Sequence, residues 1–282
     1  VTTCATTALG AGIPVVIAPA MHEPMYDHPG VLEAIERLES WGVAFADPRI
    51  EESKAKIASE VAIVLETARA AGKRPLEGKE IVVTSGATTE SIDPIRTLSN
   101  RASGKTGRAI AEACYVRGAD VTLLHDGPDV PYATVKQVES AGEMVTAAEE
   151  RAPDADTLVS AAAIGDYTVE QRSSKIRSGQ DDLTLELEPT PKLLDSVRKR
   201  APDLPMIGFK LEPDADGDAL IDAARDLRRR VDLSLVVAND AGAAGGDRTR
   251  AMLVDAETSE KFRGTKAELG ERIADSVAER LD

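Results

Sequence analysis

The segment Ser99-Asn100-Arg101-Ala102-Ser103-Gly104-Lys105-Thr106 ends like a phosphate-binding P-loop. A P-loop needs a further glycine five residues before that closing Gly-Lys-Thr, and Ser99 stands at this position, so the P-loop interpretation fails on spacing. A glycine-containing loop that opens directly onto a helix still offers free N–H groups and a favourable dipole to an anion. The segment therefore predicts an anion-binding helix start, with an ordinary capped helix as the alternative.

Further candidates for chemistry stand at or just after predicted strands. Because the carboxyl ends of parallel strands share one edge of an open sheet, we expect these residues to line a ligand site there. A turn-forming aspartate, a core phenylalanine and strand-terminating polar residues are the structural alternatives. The candidates are Asp166, Gly208, Phe209, Lys210, Asn239 and Asp240.

The elements that must position these residues follow a regular alternation of short apolar runs and longer segments of helical period. This alternation predicts an α/β fold, with a Rossmann-like parallel sheet and helices on both faces. Strands are predicted at 13–18, 43–46, 81–84, 121–124, 158–161, 206–209 and 235–238. Helices are predicted at 30–41, 57–70, 104–117, 141–151, 191–200, 217–231 and 266–281.

Two segments break the alternation. Residues 73–79 combine glycine, proline and charge, which predicts a linker between a domain at 1–72 and a domain at 80–282. The polar stretch 168–188 predicts a projecting flap, whose alternating Leu183, Leu185 and Leu187 indicate a β-ribbon with one apolar face. Such a ribbon is marginally stable alone, so we expect it to pack against the partner subunit of a homodimer or within its own chain.

Composition excludes several classes of protein. With 34 basic and 49 acidic residues, the chain has a formal net charge of −15, which disfavours nucleic acid and anionic membranes as partners. Cys4 and Cys114 cannot form a disulfide framework, and His28 and His125 lack partners at metal-ligand spacing, so no metal site made of protein ligands is predicted. A cytoplasmic protein is expected. Because Val1 opens no signal peptide and is not a methionine, we also expect an upstream segment to be missing.

Several separated blocks resemble phosphopantothenoylcysteine synthetase, the ligase of coenzyme A biosynthesis. They occur in the family's order over roughly residues 78–282. The blocks are Thr84-Ser85-Gly86-Ala87-Thr88-Thr89-Glu90, Ile92-Asp93-Pro94-Ile95-Arg96, Ser99 to Gly107, Ala161 to Tyr167 followed by Lys175-Ile176, Gly208 to Glu212, and Val237-Ala238-Asn239-Asp240.

The resemblance implies a reaction that joins 4′-phosphopantothenate to cysteine through an acyl-nucleotidyl intermediate, with CTP as nucleotide and Mg²⁺ on its phosphates. It assigns catalytic roles to Lys175 and Asn100. For Lys175 the alternative is a solvated flap charge. Substrate binding is implied for Arg96, Asn100 and Arg101, and an ion pair of Arg96 with Asp93 or Glu90 is the alternative for that arginine. The implied nucleotide-binding residues are Ala163, Asp166, Lys175, Gly208, Phe209, Lys210, Asn239 and Asp240, with Asp166 also a candidate Mg²⁺ ligand.

Residues 1–72 are similar to the C-terminal part of the flavoprotein decarboxylase that is usually fused upstream of this synthetase. The resemblance is carried by Pro19-Ala20-Met21-His22-Glu23-Pro24-Met25, in which His22 replaces the usual asparagine of a substrate motif that includes Met25. FMN is implied for the parent domain. Because neither cysteine falls in the family's active-site loop, we expect this chain to lack decarboxylase activity.

Two other classes remain open at the level of sequence. A Rossmann-like oxidoreductase that uses nicotinamide or flavin would suit the fold, but no Gly-x-Gly-x-x-Gly follows a predicted strand. A nucleotide-binding module without enzymatic activity is the third possibility. Pyrophosphate release with CTP, phosphopantothenate and cysteine distinguishes the ligase from both. Whether CTP or ATP is preferred does not follow from these residues.

Overall fold

A computed structural model of the chain describes residues 2–51, 54–179, 182–212, 217–239 and 246–281. Its internal contacts divide into two units. The first comprises residues 1–75 with 116–118, and the second comprises 76–115 with 119–282. The first residue of the second unit, Leu76, is fully buried. No helix in the described part of the chain is long and apolar enough to cross a membrane.

The first unit consists of short elements. Its helices are α1 (Thr2–Gly10), α2 (Glu23–Tyr26), α3 (Pro29–Glu39) and α4 (Glu60–Ala71), and its strands are β1 (Val16–Ile17), β2 (Met21–His22), β3 (Ala44–Phe45), β4 (Arg49–Glu51) and β5 (Lys54–Lys56). Strands β1 and β3 pair in parallel, whereas β2, β5 and β4 form an antiparallel sheet. The strand predicted at 13–18 is shorter in the structure, and α1 and the antiparallel sheet were not predicted. The helix predicted at 57–70 begins at Glu60 instead, because Ser59 caps it.

The second unit contains the larger sheet. Its helices are α5 (Lys105–Val116), α6 (Ala141–Arg151), α7 (Leu193–Arg200), α8 (Gly217–Val231) and α9 (Lys266–Leu281), with a 3-10 turn at Ala152–Asp154. Its strands are β6 (Glu80–Thr84), β7 (Thr89–Ser91), β8 (Thr97–Ser99), β9 (Asp120–His125), β10 (Thr134–Gln137), β11 (Thr157–Ser160), β12 (Tyr167–Val169), β13 (Leu187–Pro189), β14 (Met206–Leu211), β15 (Leu235–Asn239), β16 (Arg248–Val254) and β17 (Ser259–Thr265).

Eight of these strands form one sheet in the order β10-β9-β6-β11-β14-β15-β16-β17. The first six are parallel, whereas β16 and β17 continue the sheet as an antiparallel edge. The predicted α/β fold with a mainly parallel sheet is confirmed. The antiparallel edge was not predicted, because β17 alternates exposed charged residues with few apolar ones, as edge strands commonly do.

Both faces of the sheet are buried. Val82 belongs to the apolar cluster that joins strands to helices α6, α7 and α8, while its neighbours Ile81 and Val83 point the opposite way and are also fully buried. Helix α9 lies against α5 so closely that a Cβ at Gly270 would come within 2.6 Å of the Ala109 carbonyl oxygen. The apolar cluster includes Leu124, Met144, Leu158, Val197, Met206, Leu220 and Val236.

The projecting ribbon differs from its prediction in position. Strand β12 pairs with β13 in antiparallel register, with Val169 opposite Leu187. Residues 182–186 belong to no strand, so the expected ribbon at 183–187 is wrong except at its last residue. The apolar alternation was misleading because the strand that pairs with β13 is β12. This strand lies at the start of the flap, after the loop that follows β11.

Candidate functional site

The candidate site lies in the second unit, at the edge where the parallel strands β6, β11, β14 and β15 end. Helix α5 starts beside the end of β6, because the Ser85 hydroxyl donates a hydrogen bond of 2.9 Å to the Gly104 carbonyl. Gly104 has a φ of +68°, and a Cβ at Gly107 would come within 2.6 Å of the Ser85 Cβ. The glycines of the Ser99–Gly107 segment thus allow the helix to approach the strand closely.

Lys105, the P-loop-like lysine, forms an ion pair with an aspartate. The Lys105 Nζ lies 2.5 Å from Oδ1 of Asp247. The hydrogen bond between them lowers the pKa of the Asp247 carboxyl. Burial, followed by the nearby charge of Lys105, lowers the pKa of Lys266. The P-loop interpretation is rejected on its spacing alone, and the structure adds a carboxylate partner for its lysine.

Strands β7 and β8 form a hairpin that places two predicted site residues. Asn100 follows β8 directly, and its Nδ2 donates a hydrogen bond of 3.3 Å to the Ala163 carbonyl in the loop after β11. The Thr88 N–H also donates to that carbonyl, at 3.2 Å. The structure therefore brings Asn100 and Ala163 together, as the sequence hypothesis requires. Arg101, the next residue, is exposed.

Arg96 lies in the turn of this hairpin and is engaged by Asp93. Its Nη1 donates to Oδ2 of Asp93 at 2.5 Å and to the Ile176 carbonyl at 3.2 Å. The ion pair that the sequence left open as the alternative is thus present. About two fifths of the Arg96 side chain stays exposed.

Lys175 lies on the flap beyond β12 and is exposed. Among the residues that the structure describes, it has no ion-pair partner. Its neighbour Ile176 is buried, so an apolar side chain anchors the flap directly beside the lysine. The two predicted cationic groups, Arg96 and Lys175, are therefore connected through Ile176.

A cavity of about 190 Å³ opens between the loop after β11 and the start of α7. It contains the predicted residues Asp166 and Phe209. Lys192 pairs with Asp166 at 2.5 Å, and Arg230 pairs with Asp195. The other lining residues are Ser160, Ala162, Ile164, Gly165, Thr190, Pro191, Leu193 and Leu194.

Sequence reasoning missed Thr190, Lys192, Asp195 and Arg230. Residues 190–195 connect β13 to α7 and match no motif, and Arg230 belongs to a basic run at the end of α8 that resembles an ordinary helix terminus. Their shared position at the cavity is a property of the tertiary structure. The predicted helix at 191–200 placed this segment near the sheet edge, which was the available signal.

A second cavity of about 210 Å³ adjoins the first. It is lined by Asn100 and Ser99 from the hairpin, and it shares Gly165 and Asp166 with the first cavity. Thr88, Glu90, Leu98, Tyr167 and Leu187 complete its wall. Asp166 thus lies at the boundary between two adjacent compartments, one of which contains Asn100.

The remaining predicted nucleotide-binding residues lie at or near the ends of β14 and β15. Gly208 is buried, and a Cβ there would come within 2.6 Å of Leu233, so the backbone packs closely at this position. Lys210 pairs with Glu212 at 2.8 Å. Asn239 is partly buried and its Oδ1 has no hydrogen-bond partner among the described atoms. Asp240 lies outside the described residues.

The histidines and the first-unit motif carry no metal site. Within the described ranges, no group of three or more His, Cys, Asp or Glu side chains could hold a metal ion. His28 caps α3 by accepting from the Gly30 N–H, and His125 is buried. His22 and Met25 lie in β2 and α2 and are both exposed, with 58% of Met25 accessible.

Comparisons with known proteins give the same division of the chain. Residues 76–281 match the model of the DNA/pantothenate metabolism flavoprotein C-terminal domain, and residues 1–72 match the Flavoprotein family model.

The chain is also similar to complete proteins and to a solved structure. The coenzyme A biosynthesis bifunctional protein CoaBC of Thermococcus kodakarensis is 46% identical over 287 residues, covering 100% of this chain and 71% of that protein. CoaBC of Methanocaldococcus jannaschii is 35% identical over 94% of this chain and 66% of its own length. The DNA/pantothenate metabolism flavoprotein from Streptococcus pneumoniae superimposes with a TM-score of 0.65 at 27% identity, over 72% of this chain and 99% of that chain.

Proposed function

We propose the function of this chain from one premise, namely that it belongs to the CoaBC family of bifunctional coenzyme A biosynthesis proteins. Its second unit is the ligase that joins 4′-phosphopantothenate to cysteine. The observation that supports this assignment most directly is the pair of adjoining cavities that share Asp166, with Asn100 in one and Phe209 in the other. Two adjoining compartments suit the first step of such a ligase, in which a nucleotide and a carboxylate substrate must meet.

The cavity with Phe209 suits the nucleotide. Phe209 offers a ring for stacking, and Lys192 and Arg230 supply positive charge in a chain whose net charge is −15. Both cations pair with carboxylates, which keeps them oriented until phosphate oxygens arrive. CTP is the proposed nucleotide, released as pyrophosphate and CMP.

The cavity with Asn100 suits phosphopantothenate. The carboxylate of phosphopantothenate would lie near Asp166. The α-phosphate of a nucleotide bound in the adjoining cavity would lie near the same residue. The exposed portion of Arg96 and the neighbouring Arg101 are proposed to bind the substrate's own phosphate, since a guanidinium fork matches phosphate geometry.

The reaction then proceeds in two steps. A carboxylate oxygen of phosphopantothenate attacks the α-phosphorus, the bond to the β-phosphate oxygen breaks, and pyrophosphate leaves. Lys175 stabilises the negative charge that develops on the phosphate oxygens in this step. In the second step the cysteine amine attacks the acyl carbon, the acyl–oxygen bond breaks, CMP leaves and the amine loses a proton. Asn100 holds the acyl and phosphate oxygens through its amide.

Mg²⁺ fits this site mainly through the nucleotide. It prefers oxygen ligands and is commonly held by one or two carboxylates together with substrate phosphates. Asp166 is the carboxylate at the shared wall of the cavities, and its ion pair with Lys192 leaves it able to supply one oxygen. When bound, the ion would neutralise charge on the phosphates.

The first unit does not by itself fit a flavin. A site for FMN encloses most of the cofactor, whereas the motif residues His22 and Met25 are exposed and β1 and β3 form a sheet of only two strands. We therefore propose that FMN and the decarboxylation step need enclosing surface beyond the described residues 2–51 and 54–72, and that this chain does not decarboxylate phosphopantothenoylcysteine. Stoichiometric flavin absorbance in the purified chain, with release of carbon dioxide, would contradict this.

The ligase unit is proposed to act as a homodimer in the cytoplasm. About half of the surface is exposed at three residues around the ribbon, Tyr167, Leu183 and Leu187. In the hairpin turn, 65% of Ile95 is exposed. Pairing across a two-fold axis would cover these side chains.

Pyrophosphate release from CTP and phosphopantothenate, followed by formation of phosphopantothenoylcysteine on addition of cysteine, tests the proposed function. Substituting ATP for CTP in the same assay determines the nucleotide preference.

A further inference from the structure

The carboxylate of Asp93 is fully buried and accepts four hydrogen bonds. Oδ1 accepts from the backbone N–H groups of Ile95 and Arg96, each at 2.8 Å. Oδ2 accepts from Nη1 of Arg96 at 2.5 Å and from the Ile176 N–H at 3.0 Å. A buried charge is tolerated only when its lone pairs are satisfied in this way.

The fourth hydrogen bond differs from the other three. The first three close the hairpin turn on itself, whereas the one from Ile176 comes from a residue 83 positions later, on the flap. Arg96 adds a bond to the carbonyl of the same residue, so that both backbone polar groups of Ile176 are held. The Ile176 side chain is only 7% exposed. The residue directly after Lys175 is therefore fixed on three sides.

The segment around Lys175 has few other restraints. Residues 170–179 contain no helix or strand, and a free loop of this kind would sample many conformations. One further backbone bond, from the Arg172 N–H to the Ile92 carbonyl at 2.9 Å, lays the same segment along the same turn. The turn that bears Arg96 thus serves as the support for the loop that bears Lys175.

A second buried carboxylate restrains the flap at its base. Oε2 of Glu90 accepts a hydrogen bond of 2.7 Å from the Thr168 hydroxyl, and Oε1 accepts one of 2.8 Å from the Ala141 N–H. These hydrogen bonds of Glu90 lie at the base of the flap, whereas those of Asp93 lie beside Lys175. The carboxylate that bears most directly on Lys175 is therefore Asp93.

We propose that Asp93 is a positioning residue for the ligase reaction, because its carboxylate ties the Arg96 turn to Ile176 and so fixes where Lys175 is presented. This inference rests on the proposed function of Lys175 in the first step. A displacement of a catalytic group by about 1 Å lowers a rate by up to about a hundredfold, so loss of this tie should be visible in the rate.

The test compares the full chain with Asp93→Asn, Ile176→Ala and Asp255→Asn. Asp93→Asn replaces one carboxylate oxygen, which accepts hydrogen bonds, by an NH₂ group, which donates them. The new NH₂ group would face hydrogen-bond donors and could not accept from them. Ile176→Ala leaves the turn intact and loosens only the flap. Asp255→Asn is the matched control, since Asp255 also accepts from two backbone N–H groups, those of Glu257 and Thr258, in the turn between β16 and β17.

Two readouts are measured on each folded protein. The first is the kcat for pyrophosphate release from CTP and phosphopantothenate, beside the Kd for CTP. We expect Asp93→Asn and Ile176→Ala to lower kcat by about tenfold or more. The Kd for CTP should be unchanged, because the Phe209 cavity contains neither residue. The control should match the wild-type protein in both quantities.

The second readout is tryptic cleavage after Lys175 and Arg177, mapped by mass spectrometry. Proteases cut segments that open locally. Asp93→Asn and Ile176→Ala should therefore be cleaved at these sites about fivefold faster than the wild-type protein and the Asp255→Asn control. In a Lys175→Gln background, Asp93→Asn should lower the residual rate no further, because the two residues act as a unit.

An unchanged kcat in folded Asp93→Asn, an unchanged cleavage rate, or full additivity with Lys175→Gln would each overturn the proposal. If the wild-type chain releases no pyrophosphate, the proposed function is wrong, and the cleavage rates still decide whether Asp93 holds the flap. If Lys175→Gln is fully active, the role of Lys175 is wrong and Asp93 has nothing to position.

Discussion

The side-chain amide of Asn100 donates a hydrogen bond to the carbonyl of Ala163, at 3.3 Å, across a separation of 63 residues. This contact joins the end of the β7–β8 hairpin to the loop after β11. Both segments contribute to the cavity assigned to phosphopantothenate, so the bond fixes the distance between its two walls.

Asn100→Asp should impair the second step at least as strongly as the first. A carboxylate there loses the amide donor and repels both the Ala163 carbonyl and the acyl-phosphate oxygens. We expect the acyl-nucleotidyl intermediate to accumulate, which quenched-flow sampling with mass spectrometry would detect. A wild-type yield of phosphopantothenoylcysteine would remove Asn100 from the site.

Lys175→Gln should block the first step, because it removes a cation from a transition state with growing negative charge. We expect the rate of pyrophosphate release to fall by about a hundredfold or more. Arg177→Gln is the matched control, since it removes one positive charge from the same exposed flap two residues away. Normal pyrophosphate release by folded Lys175→Gln, or an equal loss in Arg177→Gln, would refute the assignment.

Arg230→Gln should weaken nucleotide binding. Arg230 lines the Phe209 cavity, and its replacement also leaves Asp195 without its cation. We expect the KM for CTP to rise by about tenfold, the usual cost of a lost charged hydrogen bond. Arg229→Gln is the control, because Arg229 is the adjacent residue of α8 and pairs with Asp226 on the surface. Equal KM values for the two variants would place the nucleotide elsewhere.

The stability of the protein should depend on Asp93 at acid pH. Burial alone would raise the pKa of this carboxyl, but hydrogen bonds from Ile176, Ile95 and Arg96 outweigh it and hold the pKa well below its ordinary value of 3.8. A lowered folded-state pKa gives stabilisation that is complete above the ordinary value and is lost as the pH falls through the folded value.

Urea unfolding of wild type and Asp93→Asn at a series of pH values measures this contribution. We expect the difference in free energy of unfolding to be constant from about pH 5 upwards and to shrink below about pH 4. A difference that stays constant down to the lowest accessible pH would show that the Asp93 carboxylate is not the stabilising group.

Leu187→Asp should dissociate the proposed homodimer, because a symmetric contact would contain the buried charge twice. Leu187 is 45% exposed beside the ribbon. Val64→Asp, at a 64% exposed position on α4, is the control. Light scattering should give a monomer for the first variant and the wild-type mass for the second. A dimeric and fully active Leu187→Asp protein would exclude the ribbon as the interface.

The sequence predicted those parts of the fold that local signals determine. Helix α6 begins where expected because Ser140 and Glu143 form a capping box, and the buried runs in β6 and β11 are too apolar for any surface position. The pairing of β12 with β13 was mislocated because hydrogen-bonding partners 20 residues apart leave no local trace.

The site was predicted as far as its motifs extend. Topology placed Asp166 and Phe209 at one edge of the sheet, whereas Asn100, Ala163 and Lys175 were assigned to the site by the resemblance. The sequence named Asp93 only as a possible ion-pair partner of Arg96 and did not reveal the contact of Asp93 with Ile176, which is distant in the chain. It also missed Lys192 and Arg230, since only the packing of α7 and α8 places them at one cavity.

An isotope-transfer experiment tests the ligase mechanism most directly. The purified chain is incubated with CTP, Mg²⁺, cysteine and phosphopantothenate that carries ¹⁸O in both carboxylate oxygens, and the products are analysed by mass spectrometry. If the carboxylate attacks the α-phosphorus and the amine then breaks the acyl–oxygen bond, CMP gains one ¹⁸O and phosphopantothenoylcysteine keeps the other in its new amide. Unlabelled CMP, label in phosphate or pyrophosphate, or the absence of phosphopantothenoylcysteine would contradict the account.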